Sequence, residues 1–175
     1  MGALGLLLYR ALTGAWGIVS MVVIGVVACL LVLLLAWVWD NQTFARTLRT
    51  LAETGRYDLV VGGYLTSAEF RNVALPHPKR GEVILAANRD GLQVLDPRRG
   101  VPVVVLDWRD IIDLAPGLEP FLGQSVLAVV IATMEGRLGL VVRPDPRRGI
   151  LSVGSAATGT VIEQIRRLRP GSRVD

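Results

Sequence analysis

The sequence predicts a mainly β domain that one N-terminal helix attaches to a membrane. Three observations lead to this fold class: an uncharged apolar run near the N-terminus, a two-residue periodicity after it, and a helical pattern close to the C-terminus. Without the apolar run and the short segment before it, about 135 residues are left, which suffice for one domain with a core but not for two.

The apolar run extends from Trp16 to Trp39 and contains no charged residue. At about 1.5 Å per residue, a helix of this length covers roughly 32–35 Å, which fits a hydrocarbon core of about 30 Å with modest tilt. Trp16 lies at one end and Trp37 with Trp39 at the other, where indole rings prefer the headgroup region. We therefore predict a transmembrane helix over residues 16–39, preceded by a short segment of residues 1–15.

A cleaved secretory signal is the alternative interpretation of this N-terminus. A signal has an apolar core of about 7–15 residues and a small-residue cleavage site. Here the run is much longer. Val26–Cys29 matches the small-residue pattern before a lipidated cysteine, but ten further apolar residues follow it. An uncleaved signal anchor is the better prediction.

The arginines beside the apolar run predict its orientation. Arg10 precedes the run, whereas Arg46, Arg49 and Arg56 follow it within about 20 residues, the distance over which such charges count. The three arginines after the run, against one before it, favour a single-pass cell-membrane protein whose globular part is cytoplasmic. A domain tethered to the outer face is the alternative. The single cysteine, Cys29, lies inside the run, so no disulfide within one chain is predicted.

Residues 40–56 are predicted to form a juxtamembrane helical linker. Its apolar positions repeat at helical spacing and are Phe44, Leu48 and Leu51. Gly55 is a helix-stop signal. The predicted role of the segment is that of a spacer, and contact with anionic lipid headgroups through Arg46 and Arg49 is the alternative.

From residue 57 onwards, the alternation of apolar and polar residues predicts short strands joined by tight turns. The predicted strands are Asp58–Leu65, Val83–Asn88, Gly91–Asp96, Val101–Asp107, Asp110–Leu114, Val126–Met134 and Arg137–Arg143. Ser67–Pro78 and Pro116–Gln124 are predicted to be irregular. Seven antiparallel strands with this much apolar surface predict a curled sheet, because a flat sheet would expose one side.

A C-terminal helix is predicted to cover an open end of the curled sheet. Thr160–Glu163 matches a capping box, in which a hydroxyl and a carboxylate satisfy backbone donors at the start of a helix. The apolar stripe that follows consists of Val161, Ile162, Ile165 and Leu168. Pro170-Gly171 ends the helix. The β domain is thus predicted over residues 57–170, with a tail of residues 171–175.

The centre of the predicted domain has a degenerate apolar pattern. Asn88–Leu92 forms a hairpin turn, and Val103–Asp107 is followed by Trp108–Leu114, an aromatic residue and an isoleucine-containing strand. This pattern resembles bacterial pleckstrin-homology-like and GRAM-like domains, and the resemblance covers roughly residues 82–168. The resemblance implies a binding module for a protein partner or for a phosphorylated lipid headgroup, and it implies that loops make the contact.

Three predicted turns share the pattern proline, two basic residues, glycine. Proline and glycine are ordinary turn residues, so the basic pairs are the informative part: Lys79, Arg80, Arg98, Arg99, Arg147 and Arg148. If the turns converge, their cationic groups would face a headgroup or the membrane surface. In the alternative, these residues keep the loops solvated, and Asp96 and Asp145 neutralise part of their charge.

The apolar loop Pro116–Leu122 is a second candidate contact. Leu118, Phe121 and Leu122 would meet a membrane or a protein partner, and the alternative is a satellite cluster under the sheet.

No catalytic, cofactor or metal site is predicted. The acidic residues Asp107, Asp110 and Asp113 do not form a metal site in this prediction. Asp107 and Asp110 would point to opposite faces of a strand, whereas hard metal ions need several converging oxygen ligands. His77 is the only histidine, and no serine has the context of a nucleophile elbow.

The prediction is therefore a non-enzymatic membrane protein that presents a binding module. The bilayer and a protein partner are its expected contacts. A net charge of +4 is too small for a nucleic-acid partner. An accessory subunit of a larger membrane complex and a His77-dependent hydrolase are the alternatives, and the sequence predicts no oligomeric state.

Overall fold

The computed structural model describes Gly5, Tyr9 and residues 17–70, 81–145 and 155–170, and of residues 17–19, 67–70 and 155–156 it describes the backbone alone. The chain divides into two units, Met1–Asp40 and Asn41–Asp175. The described part consists of a long apolar helix, a seven-stranded curled antiparallel sheet and a short C-terminal helix. The predicted fold class is confirmed.

The first helix, α1, runs from Gly17 to Glu53 without interruption. Leucine and alanine, two good helix formers, are common in it, and it contains no proline. By length and composition, this helix could cross a membrane once. Gly55 follows it at a φ of 64°, a left-handed conformation in which glycine commonly ends a helix.

Seven strands follow in the described part: β1 Leu59–Phe70, β2 Gly81–Ala87, β3 Gly91–Leu95, β4 Pro102–Asp107, β5 Ile111–Phe121, β6 Gln124–Thr133 and β7 Gly136–Val142. Their order in the sheet is β4-β3-β2-β1-β7-β6-β5. The central strand β1 pairs with β2 over Leu59–Leu65 and with β7 over Gly63–Phe70. The sheet therefore has two three-stranded arms that meet on β1.

A three-residue connection requires the sheet to curl. β4 and β5 lie at opposite edges of the sheet, yet Trp108–Asp110 alone joins them. Four residue steps span at most about 14 Å, whereas seven flat strands at a spacing of about 4.8 Å would be roughly 29 Å wide. The edges can approach only if the sheet rolls into a half-barrel. Trp108 is buried at this corner and donates its ring N–H to the Asn88 carbonyl at 3.0 Å.

The main core fills the enclosed face of the sheet, to which all seven strands contribute buried side chains. The second helix, α2, runs from Ser155 to Leu168. It places Val161, Ile162 and Ile165 in this core, so the predicted apolar stripe of the helix is confirmed.

The predicted capping box at Thr160 is wrong, because α2 begins at Ser155 and Thr160 lies inside the helix. Thr158 is buried and donates its hydroxyl hydrogen to the Leu127 carbonyl at 3.3 Å. Packing of the first turn against β6 thus outweighs the low helix propensity of threonine and glycine in this segment.

The predicted loop Pro116–Gln124 is also wrong, because these residues extend β5 and β6 into a long hairpin. Pro116 pairs with Val129 and Pro120 with Ser125. Proline fits at these positions because β5 is an edge strand, where the missing N–H would face away from β6.

The central strand β1 likewise extends beyond its predicted end, to Phe70. Its register with β7 shifts between Leu65 and Ser67. Such a bulge breaks the two-residue alternation on which the prediction relied. Ser67–Phe70 was therefore wrongly predicted as irregular, and the rest of that segment lies outside the described residues.

Candidate functional site

Residues 41–53 of α1 pack on the outer face of the sheet. The buried side chains of this second cluster are Phe44, Tyr57, Ile84, Ala86 and Leu95, and Leu48 and Leu51 pack against them. Gly62 permits the close approach, because a Cβ at this position would lie 2.7 Å from the Phe44 ring. The segment predicted as a spacer is therefore part of the folded β unit.

Arg143, directly after β7, is fully buried on this outer face, with a side-chain exposure of 0%. One guanidinium nitrogen donates to Glu82 Oε1 and another to Asn41 Oδ1, each at 2.7 Å. The Tyr64 hydroxyl donates to the same Glu82 oxygen at 3.0 Å. One buried cation thus connects α1, β1, β2 and the end of β7.

Two aromatic rings complete the surroundings of Arg143. Its guanidinium carbon lies 4.5 Å from the ring centroid of Phe44 and 5.8 Å from that of Tyr64. Cation–π attraction strengthens when both groups are shielded from water. No pattern in the sequence indicates this role, because Arg143 is one of 19 basic residues and its partners are distant in the chain.

A cleft of about 570 Å³ opens between α1, the start of β1, the end of β7 and α2. It exists because β7 ends at Val142, opposite Gly63, whereas β1 begins at Leu59. Its walls are mostly apolar and include Ala45, Leu48, Ala52, Val60, Val61, Val142 and Ala157. Arg49 adds an exposed guanidinium. The buried Arg143 also lines the cleft. Mostly apolar walls with a few charged or polar groups are typical of ligand sites.

The predicted contact residues Leu118, Phe121 and Leu122 lie at the tip of the β5–β6 hairpin. The turn has φ 51° at Leu122 and 79° at Gly123, as in a type I′ hairpin turn. Leu118 is 68% exposed and Leu122 is 70% exposed. Phe121 instead packs on Tyr64, with ring centroids 5.1 Å apart. The tip thus presents two leucines, while Phe121 belongs to the outer-face packing.

Of the six predicted basic turn residues, the structure describes Arg98 and Arg99, which are exposed. Asp96 accepts from the backbone N–H groups of both, at 2.7 and 3.4 Å, so its carboxylate shapes the turn. Leu95, directly before the turn, packs in the cluster that contains Phe44. Lys79, Arg80, Arg147 and Arg148 lie outside the described residues.

The strand order shows which strand ends lie together. β1, β2, β3 and β4 are successive antiparallel neighbours, so the end of β3 and the start of β4, between which the Arg98–Arg99 turn lies, are at the same end of the sheet as the end of β1 and the start of β2. β7 ends at Val142 beside Gly63, towards the other end of β1.

A second cleft, of about 490 Å³, was not predicted. Its charged lining comes from three separate places in the chain: Arg89 and Asp90, Asp107 and Arg109, and Arg169. Arg109 Nε lies 3.5 Å from Asp107 Oδ1. Arg169 donates to the Ile111 carbonyl at 2.9 Å. With three arginines against two aspartates, the cleft has little net charge to select an ionic ligand.

Glu119 is a buried carboxylate on β5, near the hairpin tip. It forms an ion pair with Arg137 on β7. The Thr66 hydroxyl lies 3.4 Å from its second oxygen. These contacts connect β5 with β7 and β1, which indicates a structural role.

The described residues contain no group of three or more histidine, cysteine, aspartate or glutamate side chains placed to hold a metal. Asp107 accepts the Arg109 N–H at 3.0 Å, and Asp113 accepts the Leu114 N–H at 2.8 Å. These carboxylates thus serve local backbone donors. His77, on which the hydrolase alternative depends, lies outside the described residues.

Comparison with known proteins assigns no family. No protein-family model matches the sequence, and no curated protein matches it. The resemblance to pleckstrin-homology-like and GRAM-like domains stays a prediction.

Proposed function

We propose that this chain is a non-enzymatic, single-pass membrane protein whose β unit binds a segment of another protein on the cytoplasmic side. The observation that carries this proposal is the apolar cleft between α1 and α2. Its walls suit aliphatic or aromatic side chains of a partner, and the exposed Arg49 suits an acidic group beside them. The pleckstrin-homology-like resemblance supports a binding role.

The short distance along the chain between the apolar run and the β unit supports presentation at a membrane. The run ends at Trp39, and Asn41 is already buried in the β unit. Asp40 alone separates them in the sequence. The excess of arginine after the run supports the cytoplasmic side.

Filling the cleft tests the proposal. Ala52 lines the cleft and is exposed, so Ala52→Trp should block it without disturbing the core. Thr50 is exposed on the same helix and does not line the cleft, which makes Thr50→Trp the matched control.

Blue-native electrophoresis of the full-length chain, extracted from its native membranes with mild detergent, provides the readout. We expect the parent and Thr50→Trp to migrate with a partner and Ala52→Trp to migrate alone. Equal migration of all three chains would contradict binding through the cleft. A stable complex of fixed composition would also favour the accessory-subunit alternative.

Anionic lipid headgroups are a second candidate ligand, favoured by the position of the Arg98–Arg99 turn. Leu95 connects this turn to the packing around Phe44, which lies four residues after Asp40. Two arginines near an anionic surface contribute on the order of 1 kcal/mol each.

Hydrogen exchange of the full-length chain in liposomes tests this second candidate. We expect the amides of residues 98–101 to exchange more slowly with anionic lipid than with zwitterionic lipid. The difference should vanish in an Arg98→Ser/Arg99→Ser variant. Equal exchange of the parent in both lipids would exclude headgroup contact by this turn.

A further inference from the structure

We propose that the tip of the β5–β6 hairpin, through Leu122 and Leu118, inserts shallowly into the bilayer as a second membrane contact beside the anchor. This inference rests on the membrane anchoring proposed above. It makes a lipid surface, rather than a protein, the partner of the hairpin tip. The residues of this tip are distant in sequence from those that line the apolar cleft.

The first observation is a leucine that the fold itself does not require. Leu122 is the one residue other than glycine with a positive φ in the described ranges 17–70, 81–145 and 155–170. The first position of a type I′ turn favours asparagine, aspartate or glycine, and other side chains are strained there. Leu122 is also 70% exposed, so it contributes little to the core. A strained, exposed leucine indicates contact with something outside the chain.

The second observation is the position of the tip within the β unit. Phe121 lies 5.1 Å from Tyr64 between ring centroids, and Tyr64 lies 5.8 Å from the Arg143 guanidinium. Arg143 in turn donates to Asn41 at 2.7 Å. Asn41 is the first residue of the β unit. Three successive contacts thus connect the tip with the first residue of this unit.

The third observation is the chemistry of the tip. Residues 116–126 contain one charged side chain, Glu119, and it is buried and paired with Arg137. The segment therefore has exposed leucines and prolines and no exposed charge of its own, while the half-exposed Arg137 beside it is paired with Glu119. Shallow insertion limited to the leucines of the tip moves no ion out of water.

The size of the patch favours a lipid surface over a protein partner. Two leucine side chains supply a small part of the roughly 800 Å² that each partner of a stable protein interface buries. A membrane contact needs less buried area, because the anchor already raises the effective concentration of the bilayer around the β unit.

The experiment uses the full-length chain in liposomes, with Cys29→Ser to remove the native thiol. Leu122→Cys carries an environment-sensitive NBD probe, and lipids with a nitroxide on the acyl chain act as quencher. Ile112→Cys is the matched control, because Ile112 is an apolar residue at the other end of β5 with 61% exposure. Ten residues along a strand correspond to about 33 Å.

We expect a blue-shifted emission at position 122 and quenching at least threefold stronger than at position 112. With the probe at Leu118→Cys instead, Leu122→Asn should reduce quenching, because it removes the apolar tip and keeps a side chain suited to the turn.

Equal, weak quenching at positions 122 and 112, in protein that resists alkaline extraction from the liposomes, would overturn the inference and leave the anchoring intact. A blue shift at position 122 that requires other membrane proteins would overturn it in favour of a protein contact. Protein that washes off the liposomes would instead overturn the proposed function.

Discussion

Arg143 donates a hydrogen bond of 2.7 Å to Asn41, a residue 102 positions earlier in the chain. This contact joins the first residue after β7 to the first residue of the β unit. Arg143 is fully buried, and Glu82, Phe44 and Tyr64 surround it. The buried cation therefore fixes where α1 lies on the sheet.

Arg143→Ala should lower the free energy of unfolding by about 3–5 kcal/mol, the usual cost of removing one member of a buried ion pair. Chemical denaturation in detergent, followed by tryptophan fluorescence, measures this loss. Arg109→Ala is the control, because the Arg109 side chain is 90% exposed and exposed pairs contribute about 0–1 kcal/mol. Similar losses for the two variants would contradict the role assigned to Arg143.

Gly62→Ala should destabilise the β unit by about 1–3 kcal/mol, the usual cost of overpacking. The added Cβ would lie 2.7 Å from the Phe44 ring, in the packing of α1 on the sheet. Gly159→Ala is the matched control, because a Cβ there meets nothing within 4 Å and the position is helical. This control should stabilise by about 0.5–1 kcal/mol. Thermal unfolding distinguishes the two, and a neutral Gly62→Ala would show that α1 does not pack closely there.

Much of the fold could be predicted because alternation and helical spacing are local signals. The seven strands and the apolar stripe of α2 are examples. The errors arose where a distant contact decides the local structure. The bulge after Leu65 hid the end of β1, and the edge position of β5 admits Pro116 and Pro120 to a strand.

The site was less predictable than the fold, for a related reason. Asn41, Tyr64, Glu82 and Arg143 come from four elements, and no spacing or motif connects them in the sequence. The hairpin tip was found as an apolar segment, but the left-handed conformation of Leu122 depends on the turn that the paired strands impose.

Leu122→Asn should stabilise the isolated protein in detergent by about 1 kcal/mol, since asparagine tolerates the left-handed conformation better than leucine does. Leu118→Asn is the control, because Leu118 is exposed to a similar extent but has an ordinary strand conformation. It should change the unfolding free energy by less than about 0.5 kcal/mol. A destabilised Leu122→Asn variant would mean that Leu122 contributes to packing within the chain.

The central proposal is that the apolar part of α1 spans a membrane and that the β unit lies on its cytoplasmic side. Its most direct test is the labelling of an Arg109→Cys, Cys29→Ser variant with a membrane-impermeant maleimide, in intact and in permeabilised cells. We predict that the protein stays in the membrane pellet after alkaline washing and reacts only after permeabilisation. Reaction in intact cells, or recovery of the protein in the aqueous supernatant, would contradict the account.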